Sequence, residues 1–287
     1  MKNLIFAHDR VGFSCVKFLL QHYLHTIRLI VVAQENQIST LAREYNIPVI
    51  IFDKKTIITD ILKQDSQFDF GFLLWWSYII DKDLISIPRF GFINTHPSLL
   101  PFNRGKHYSF WAIVEQNPFG VSLHFVDEGI DSGDIIAQKV ISYDWEDTGK
   151  SLYQKAQKAI VALFKAQYKK IITHSITRTK QNLNQGSFHY AKEIDSASTI
   201  DLNKSYIARD LLNLLRAKSF KPHKGCVFKA SNGGGQQKRV EARKNPTRKT
   251  TRYISPSKNL NRTELYKYTL SYVYNALSSQ CNIWRYA

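Results

Sequence analysis

The residues with the clearest chemical potential are an amide and an imidazole in the run Asn94-Thr95-His96-Pro97. In an extended chain, side chains two positions apart point to the same side, so Asn94 and His96 converge, and Pro97 stiffens the backbone that follows. A carboxylate is available at Asp131, in an acidic loop that carries two glycines. Amide, imidazole and carboxylate together can form an acyl-transfer site that needs neither a metal nor a covalent nucleophile.

Each member of this trio also has an ordinary structural explanation. His96 could be a hydrogen-bonded structural histidine, Asn94 a cap at the end of a strand, and Asp131 a turn former. Taken alone, each of these three residues is better explained by its structural role than by catalysis. Their occurrence together, in this order and context, favours catalysis.

The elements around the trio indicate a doubly wound α/β fold with a mostly parallel sheet. Short β-rich runs alternate with amphipathic stretches, which is typical of βαβ units. Strands are predicted over residues 3–7, 27–33, 48–52, 68–74, 91–94, 121–126 and 135–141, and helices over 11–21, 57–63, 82–87 and 149–172. Asn94 and His96 then lie at the carboxyl end of a strand, where such sheets form their active crevices. No GxGxxG run follows the first strand, so a dinucleotide-binding loop is not supported.

The chain is predicted to contain three parts. A catalytic domain covers residues 1–175, and the polar segment 173–184 resembles a linker. A small α+β unit for substrate binding or dimerisation covers 176–244, with a helical pattern over 201–217 and a hairpin over 225–244 around Asn232-Gly233. Residues 245–287 have the composition of a basic tail, with a possible helix over 264–277.

Composition excludes several classes of protein. The 287 residues are 44% hydrophobic, which is enough for a cored domain, and no apolar run approaches the roughly 20 residues of a membrane span. No signal-peptide pattern opens the sequence, so we expect a cytoplasmic protein. Cys15, Cys226 and Cys281 are too dispersed for a disulfide framework or a zinc site. His22 and His25 lack a third ligand of fitting spacing, so no metal site is expected.

The net charge of +17 raises the question of a nucleic-acid partner. Much of the excess lies after residue 237, and the first half of the chain is much closer to balance. We therefore expect no nucleic-acid partner, apart from a possible role of the basic tail.

The run Asn94–Pro101, followed by the loop Asp127–Asp134, resembles the folate-dependent formyltransferase family, and the likeness covers about residues 1–175. This resemblance implies that Asn94, His96 and Asp131 are catalytic and that 10-formyltetrahydrofolate donates the formyl group. It also implies a formyltransferase-like fold and a pterin site that uses mainly backbone groups. The pterin-binding positions are Tyr78, Ile80, Glu128, Gly129 and Ile130.

The segment after the catalytic strand carries a finer resemblance. Its Asn-Arg-Gly-Lys-His-x-x-Phe-Trp run, beginning at Asn103, is similar to that of sugar N-formyltransferases, although Tyr108 replaces a proline that is common there. The resemblance assigns substrate contacts to Asn103, Arg104 and Lys106, where positive side chains suit a diphosphate. Phe220 is a candidate platform for the nucleotide base. Ordinary solvated charge for Lys106 and core packing for Phe220 remain open.

The leading hypothesis is therefore N-formylation of a dTDP-linked 3- or 4-amino-dideoxy sugar by a homodimer, for lipopolysaccharide O-antigen or another bacterial surface polysaccharide. A methionyl-tRNA formyltransferase is the alternative enzyme. It predicts a larger carboxyl-terminal barrel, for which the chain after Thr173 has too few regular β runs. A binding protein on the same scaffold is the third hypothesis, and the presence of all three catalytic residue types opposes it.

Overall fold

A mostly parallel seven-stranded sheet forms the centre of the computed structural model, which describes residues 1–65, 67–229 and 237–239. Its strands are β1 (Asn3–Ala7), β2 (Ile27–Val32), β3 (Val49–Ile51), β4 (Gly71–Leu74), β5 (Phe92–His96), β7 (Gly120–Phe125) and β8 (Ile135–Val140), with the two-residue β6 (Arg104–Gly105) outside it. The order is β3-β2-β1-β4-β5-β7-β8, and neighbouring strands of this sheet are parallel except at β7, which is antiparallel to both β5 and β8. The predicted fold class is confirmed.

Helices cover both faces of this sheet. They are α1 (Asp9–His22), α2 (Gln37–Glu44), α3 (Ile57–Gln64), α4 (Lys82–Ile85), α5 (Tyr108–Val114) and α6 (Gly149–Ile172). Buried side chains form two clusters, one that includes α1, α5 and α6 and one that includes α3 and α4. Two apolar faces on a largely buried parallel sheet are the expected consequence of βαβ crossovers.

Helix α6 shows how local sequence sets an element. Thr148 caps its first turn by accepting a hydrogen bond from the Ser151 backbone N–H, and Ser151 Oγ in turn accepts one from the Thr148 N–H. Leu152, Ala156 and Ile160 then follow at intervals of four residues and are buried against the sheet. The predicted bounds of 149–172 agree with the structure because cap and apolar period both lie within the segment.

Several predicted bounds are wrong by a few residues. The strand predicted over 68–74 begins at Gly71, because Phe68 makes only an isolated bridge to Pro88. The strand predicted over 91–94 extends to His96, since β5 pairs with Ser122 of β7 up to that residue. The sequence analysis did not anticipate β6 or α5.

The carboxyl-terminal part contains small elements that the sequence analysis only partly anticipated. They are β9 (Phe188–His189), α7 (Glu193–Ala197), β10 (Thr199–Asp201), α8 (Ala208–Ala217), β11 (Val227–Lys229) and β12 (Gln237–Arg239). The helix predicted over 201–217 starts only at Ala208, because residues 199–201 form a strand parallel to β11. Strands β11 and β12 pair antiparallel, as the predicted hairpin requires. Its Asn232-Gly233 turn, the tail 245–287 and the helix predicted over 264–277 lie outside the described residues.

The segment predicted as a linker packs on the catalytic domain. Thr179 exchanges backbone hydrogen bonds of 2.8 and 2.9 Å with Ile135 of β8. The Arg178 guanidinium lies 3.6 Å from the centroid of the Phe125 ring. Strand β9 pairs with β6, which follows the catalytic strand. The predicted boundary at residue 175 therefore does not coincide with a structural separation.

None of the helices among the described residues combines the length and apolar character needed to cross a bilayer.

Candidate active site

Asn94 and His96 lie near and at the carboxyl end of β5, with both side chains on the same side of the strand. The neighbouring strand β7 runs antiparallel and places His124 directly opposite Asn94. The His96 side chain is only 5% exposed. From β1 the strand order runs to β2 and β3 on one side and to β4 and β5 on the other. The carboxyl end of β5 is therefore near the point where the strand order reverses, which is where such sheets bind ligands.

Asp131 approaches this pair from the loop between β7 and β8. Its backbone has a φ of 52°, in the left-handed region that only a few non-glycine residues adopt. Two residues later, Gly133 leaves room for the Phe125 carbonyl, with which a Cβ at position 133 would collide. The loop is folded on itself, because Asp127 Oδ1 accepts hydrogen bonds from Gly129 N (3.1 Å) and Ser132 Oγ (2.7 Å).

The three predicted catalytic side chains meet at one carboxylate. Asp131 Oδ1 lies 3.2 Å from His96 Nδ1 and accepts a 3.3 Å hydrogen bond from Asn94 Nδ2. The other oxygen, Oδ2, accepts a 3.0 Å hydrogen bond from the Gly105 N–H. A carboxylate at Nδ1 fixes the imidazole tautomer and directs Nε2 away from the pair. His96 Nε2 is buried and has no hydrogen-bond partner among the described residues.

His124 is a member of the site that the sequence analysis missed. Its Nδ1 lies 2.7 Å from the Phe125 carbonyl, to which it donates, so that Nε2 is left to accept from Asn94 Nδ2 at 3.2 Å. The same Nε2 is 3.6 Å from Asp131 Oδ1. The sequence signal for His124 was the alternation of side chains along β7, which places His124 and Ser122 on the same side of the strand. Only the register with β5 shows that Asn94 is the partner of His124.

The electrostatics of the site keep Asp131 ionised. Burial alone raises the pKa of Asp131, but the positive charge of His96 and the hydrogen bond from His96 lower it more. The pKa of this carboxyl therefore lies well below its usual range. An ionised Asp131 can orient His96 and stabilise positive charge on that ring throughout the neutral pH range.

His96, His124 and Asp131 also offer ligand atoms that lie within 4.8 Å of one another, a spacing that would admit a metal ion. The sequence analysis expected no metal. In the structure these atoms contact each other and Asn94, as described above, and such a hydrogen-bonded network satisfies them without an ion.

The loop that carries Asp131 is held from outside by Gln181. Its Nε2 donates to the Asp131 carbonyl at 3.0 Å and to the Gly133 carbonyl at 2.7 Å. Gln181 is 8% exposed and lies in the segment predicted as a linker. The sequence contained no signal for this role, since glutamine in a polar stretch is normally solvated.

The predicted pterin-binding residues lie on two neighbouring loops. Tyr78 is 51% exposed, and it lines an open groove of about 630 Å³ together with Phe52, Lys54 and Ile79. Ile80 is buried, so only its backbone is suited to contact a ligand, in line with the backbone role that the resemblance implies. The other three positions, Glu128, Gly129 and Ile130, are exposed in the loop before Asp131. Lys82 bridges the two loops through a 2.7 Å ion pair with Glu128.

The predicted acceptor-binding residues differ in how deeply they are buried and in what they contact. Asn103 is fully buried (0% exposed), its Oδ1 lies 3.3 Å from Ser187 Oγ, and its Nδ2 has no hydrogen-bond partner among the described residues. Its contact with substrate stays a prediction. Arg104 is half-buried over the Phe188 ring, and its Nε has no hydrogen-bond partner within residues 1–65, 67–229 and 237–239, whereas Lys106 is exposed. Phe220 is half-buried beside the Tyr153 ring.

Two models of known protein families match this chain. The family model described as formyl transferase matches residues 29–167. A second model, described as the N-formyltransferase dimerization C-terminal domain, matches residues 193–237. The chain belongs to the formyltransferase family.

Several solved structures and curated proteins are similar to this chain. A 4-N formyltransferase from Francisella tularensis is 25% identical, with a TM-score of 0.69 over 85% of this chain and 98% of that one. The formyltransferase PseJ from Anoxybacillus kamchatkensis, solved with UDP-4,6-dideoxy-4-formamido-L-AltNAc and tetrahydrofolate, is 26% identical, with a TM-score of 0.51 over 68% and 89% of the two chains. A methionyl-tRNA formyltransferase from Clostridioides difficile is 32% identical over 62% of this chain and 58% of its own length. The chain spans 36% to 58% of the length of the curated relatives it matches.

Proposed function

We propose that this formyltransferase-family chain transfers the formyl group of 10-formyltetrahydrofolate to the amine of a nucleotide-linked amino-deoxy sugar. The observation that carries the proposal is that Asn94 and His96 both contact the Asp131 carboxylate, while His96 Nε2 has no hydrogen-bond partner in the part of the chain that the structure describes. An unpartnered nitrogen in a buried site is costly unless a ligand uses it. The formyl group and the attacking amine would meet at this atom.

The protein must stabilise an oxyanion and handle a proton during the reaction. Attack of a neutral amine on the formyl carbon creates an oxyanion and a surplus ammonium proton. Release of tetrahydrofolate must then break the bond between the formyl carbon and the folate nitrogen, and that nitrogen must receive the surplus proton. His96 Nε2 can accept that proton when neutral, or donate to the oxyanion when protonated. Asp131, ionised and bonded to Nδ1, stabilises the charged ring in both cases.

Asn94 is the second candidate donor to the oxyanion. In the structure its Nδ2 lies 3.2 Å from His124 Nε2 and 3.3 Å from Asp131 Oδ1. Both contacts are long for hydrogen bonds, so substrate can take over one of them at little cost. His124 is proposed as a positioning residue that holds the Asn94 amide until then.

The donor site is proposed at the backbone of Tyr78–Ile80 and the loop 128–131. Ile79 is largely exposed and Gly129 is exposed, so their backbone groups can reach a flat heterocycle. Lys82 and Glu128 join the two segments, which supports a single site. The neighbouring enzyme solved with tetrahydrofolate supports this donor class.

The acceptor class rests on charge and on the family comparison. Arg104 follows the catalytic strand, its buried Nε finds no hydrogen-bond partner in the described part of the chain, and a diphosphate oxygen suits such a donor. The Francisella and Anoxybacillus neighbours, a 4-N formyltransferase and an enzyme solved with a UDP-linked formamido sugar, support a nucleotide-linked amino sugar. We further propose a dTDP carrier, a 3- or 4-amino-dideoxyhexose, a homodimer, and a role in surface polysaccharide synthesis.

Methionyl-tRNA is the competing acceptor, favoured by the 32% identical relative and the net charge of +17. The match of residues 193–237 to the dimerization domain of N-formyltransferases opposes it. The full-length protein should be incubated with 10-formyltetrahydrofolate and, separately, dTDP- and UDP-linked amino sugars, charged tRNA and glycinamide ribonucleotide, while tetrahydrofolate is measured. We expect turnover with an amino-sugar nucleotide. Turnover with charged tRNA alone would refute the sugar assignment, and no turnover with any acceptor would refute formyl transfer.

A further inference from the structure

The side chains of His189, Glu115 and Glu193 form a charged group outside the candidate active site, which we call the His189 cluster. The imidazole is 12% exposed, and each of its nitrogens faces a different carboxylate. Nδ1 is hydrogen-bonded to Glu193 Oε2 at 3.0 Å, and Nε2 lies 2.7 Å from Glu115 Oε1, an ion-pair contact that is not aligned as a hydrogen bond. Glu115 directly follows α5 and Glu193 begins α7, so one ring joins β9 to both helices.

Packing holds the imidazole in this place. Its ring is stacked on that of Trp111, with centroids 3.7 Å apart and planes 7° apart. Trp111 is buried and lies four residues before Glu115, so both project from the same face of α5. Glu193 is held as well, because its Oε1 accepts a 2.9 Å hydrogen bond from the Tyr190 N–H. This N–H and the His189 ring lower the pKa of Glu193, which keeps its carboxylate ionised at neutral pH.

Two backbone hydrogen bonds join β9 to β6, which follows the catalytic strand. The Arg104 N–H donates to the Ser187 carbonyl and the Lys106 N–H to the His189 carbonyl, at 3.0 Å each. Both strands are only two residues long. So short a pairing is weak by itself, so the position of β6 depends on what fixes β9. The His189 cluster attaches β9 to α5 and α7 at this point.

Gly105 connects this pairing to the catalytic carboxylate. Successive N–H groups of an extended chain point to opposite sides, and the N–H groups on either side of Gly105 face β9. The Gly105 N–H therefore faces away from β9, and it donates to Asp131 Oδ2 at 3.0 Å. Gly105 has a φ of 86°, and a Cβ there would lie 2.3 Å from the His189 carbonyl oxygen. The close approach of the two strands thus sets where the donor to Asp131 stands.

We propose that His189 is a positioning residue for formyl transfer, whose imidazolium form, held between Glu115 and Glu193, fixes β9 and thereby the Gly105 N–H that orients Asp131. The kinetic part of this inference rests on the proposed function. An imidazolium has an N–H on both nitrogens and suits both carboxylates. A neutral ring presents a lone pair to one of them, and that contact becomes repulsive. The cluster is therefore complete while the ring is protonated and loosens as pH rises and the ring loses its proton.

Other charged groups lie on the same segments. Three basic residues offset part of the negative charge of the two carboxylates: Arg104, Lys106 and Lys192. His107 is a second titratable ring in this region. It is hydrogen-bonded to the backbone of Ala191, two residues after His189, and partial burial lowers its pKa. A pH effect of the His189 cluster must therefore be separated from one of His107.

The test uses His189→Phe in the full-length protein, because phenylalanine can keep the stacking on Trp111 while it removes both contacts with carboxylates. The first measurement is the Gly105 amide in 1H–15N spectra without substrate, which reports the hydrogen bond to Asp131. We expect its proton resonance to move upfield and its hydrogen exchange to become faster. We also expect kcat to fall by at least about 10-fold at a nearly unchanged KM for the folate donor, since small misplacements of a catalytic group are costly in rate.

The pH dependence is the second measurement. In the ratio of wild-type kcat to His189→Phe kcat, titrations that both proteins share, such as that of His96, cancel. The ratio should be largest at acid pH and decline as pH rises, because only the wild-type protein has a ring that loses its proton. The same ratio measured in a His107→Asn background should keep this decline, and asparagine tolerates the left-handed backbone of residue 107.

Glu35→Gln is the matched control, since it breaks an ion pair between Glu35 and Arg43 at α2, far from β9 in the sequence. It should leave the Gly105 resonance and kcat unchanged. If His189→Phe does not fold, the double variant Glu115→Ala and Glu193→Ala removes the same contacts and should give the same results. If the wild-type protein formylates no acceptor, the proposed function fails, and the Gly105 resonance still tests the cluster. If the folded variants keep the wild-type Gly105 resonance, or if the kcat ratio does not change with pH, His189 is not a positioning residue for Asp131.

Discussion

The support of the Asp131 loop by Gln181 can be tested by Gln181→Met, which keeps the length of the side chain and removes its amide. The substitution deletes the hydrogen bonds to the Asp131 and Gly133 carbonyls. Two such bonds contribute about 1–3 kcal/mol of net stability. Part of this loss is recovered, because Gln181 Oε1 is buried without a partner and disappears with the amide. We therefore expect the free energy of unfolding to fall by about 1–2 kcal/mol.

The effect on catalysis should exceed the effect on stability. The Asp131 carbonyl that loses its donor belongs to the residue that orients His96, and small misplacements of a catalytic group can cost about 100-fold in rate. We expect kcat/KM to fall by about 10- to 100-fold, mostly through kcat. Gln185→Met is the matched control, since Gln185 is exposed and has no side-chain hydrogen bond among the described residues. It should be neutral in both measurements.

The assay is urea unfolding followed by circular dichroism, together with steady-state formyl transfer on the same preparations. Both variants should share the same slope of unfolding free energy against urea, because neither changes the buried area appreciably. If Gln181→Met and Gln185→Met behave alike in stability and rate, the segment 173–184 acts as a linker, and the structural account of the Asp131 loop is wrong.

Four further outcomes follow from the site. His96→Asn should lower kcat by at least about 100-fold at an unchanged melting temperature and acceptor affinity, whereas equal losses in all three would indicate a structural histidine. Asn94→Ala and Asp131→Ala should each be severe in kcat, and the double variant should fall far short of the product, so independent losses in a kinetic cycle would contradict a shared site. Because the pKa of Asp131 is depressed, its ionised form contributes stability above the unfolded pKa of about 3.9 that is lost as pH falls through the folded pKa. Acid titration of unfolding free energy should thus be shallower for Asp131→Asn, and identical slopes would contradict the ion pair. Truncation after Lys244 should leave the kinetic constants within a few-fold and weaken salt-sensitive binding to RNA, since every assigned residue precedes it. A folded truncation that has lost sugar formylation would assign the tail to the substrate site.

The comparison of sequence and structure is clearest for the catalytic strand. The alternation of side chains predicts that Asn94 and His96 share a side, and the position of the strand in a βαβ series predicts the edge at which they lie. Both predictions agree with the structure. The loop motif around Asp131 identified the third residue through family resemblance, and its geometry followed from the antiparallel return of β7 and β8.

The sequence by itself determined the elements whose signals are local. Apolar period and capping predicted α6, and apolar runs predicted the parallel strands, because such patterns act within a few residues of each other. The tertiary structure alone decided which distant residues meet. His124 lies 30 positions from its partner Asn94, and Gln181 lies 50 positions from Asp131. The burial of Asn103 likewise depends on Ser187, which lies 84 positions later. These pairings depend on strand register and on how the carboxyl-terminal segment packs, and no local pattern of residue types encodes either.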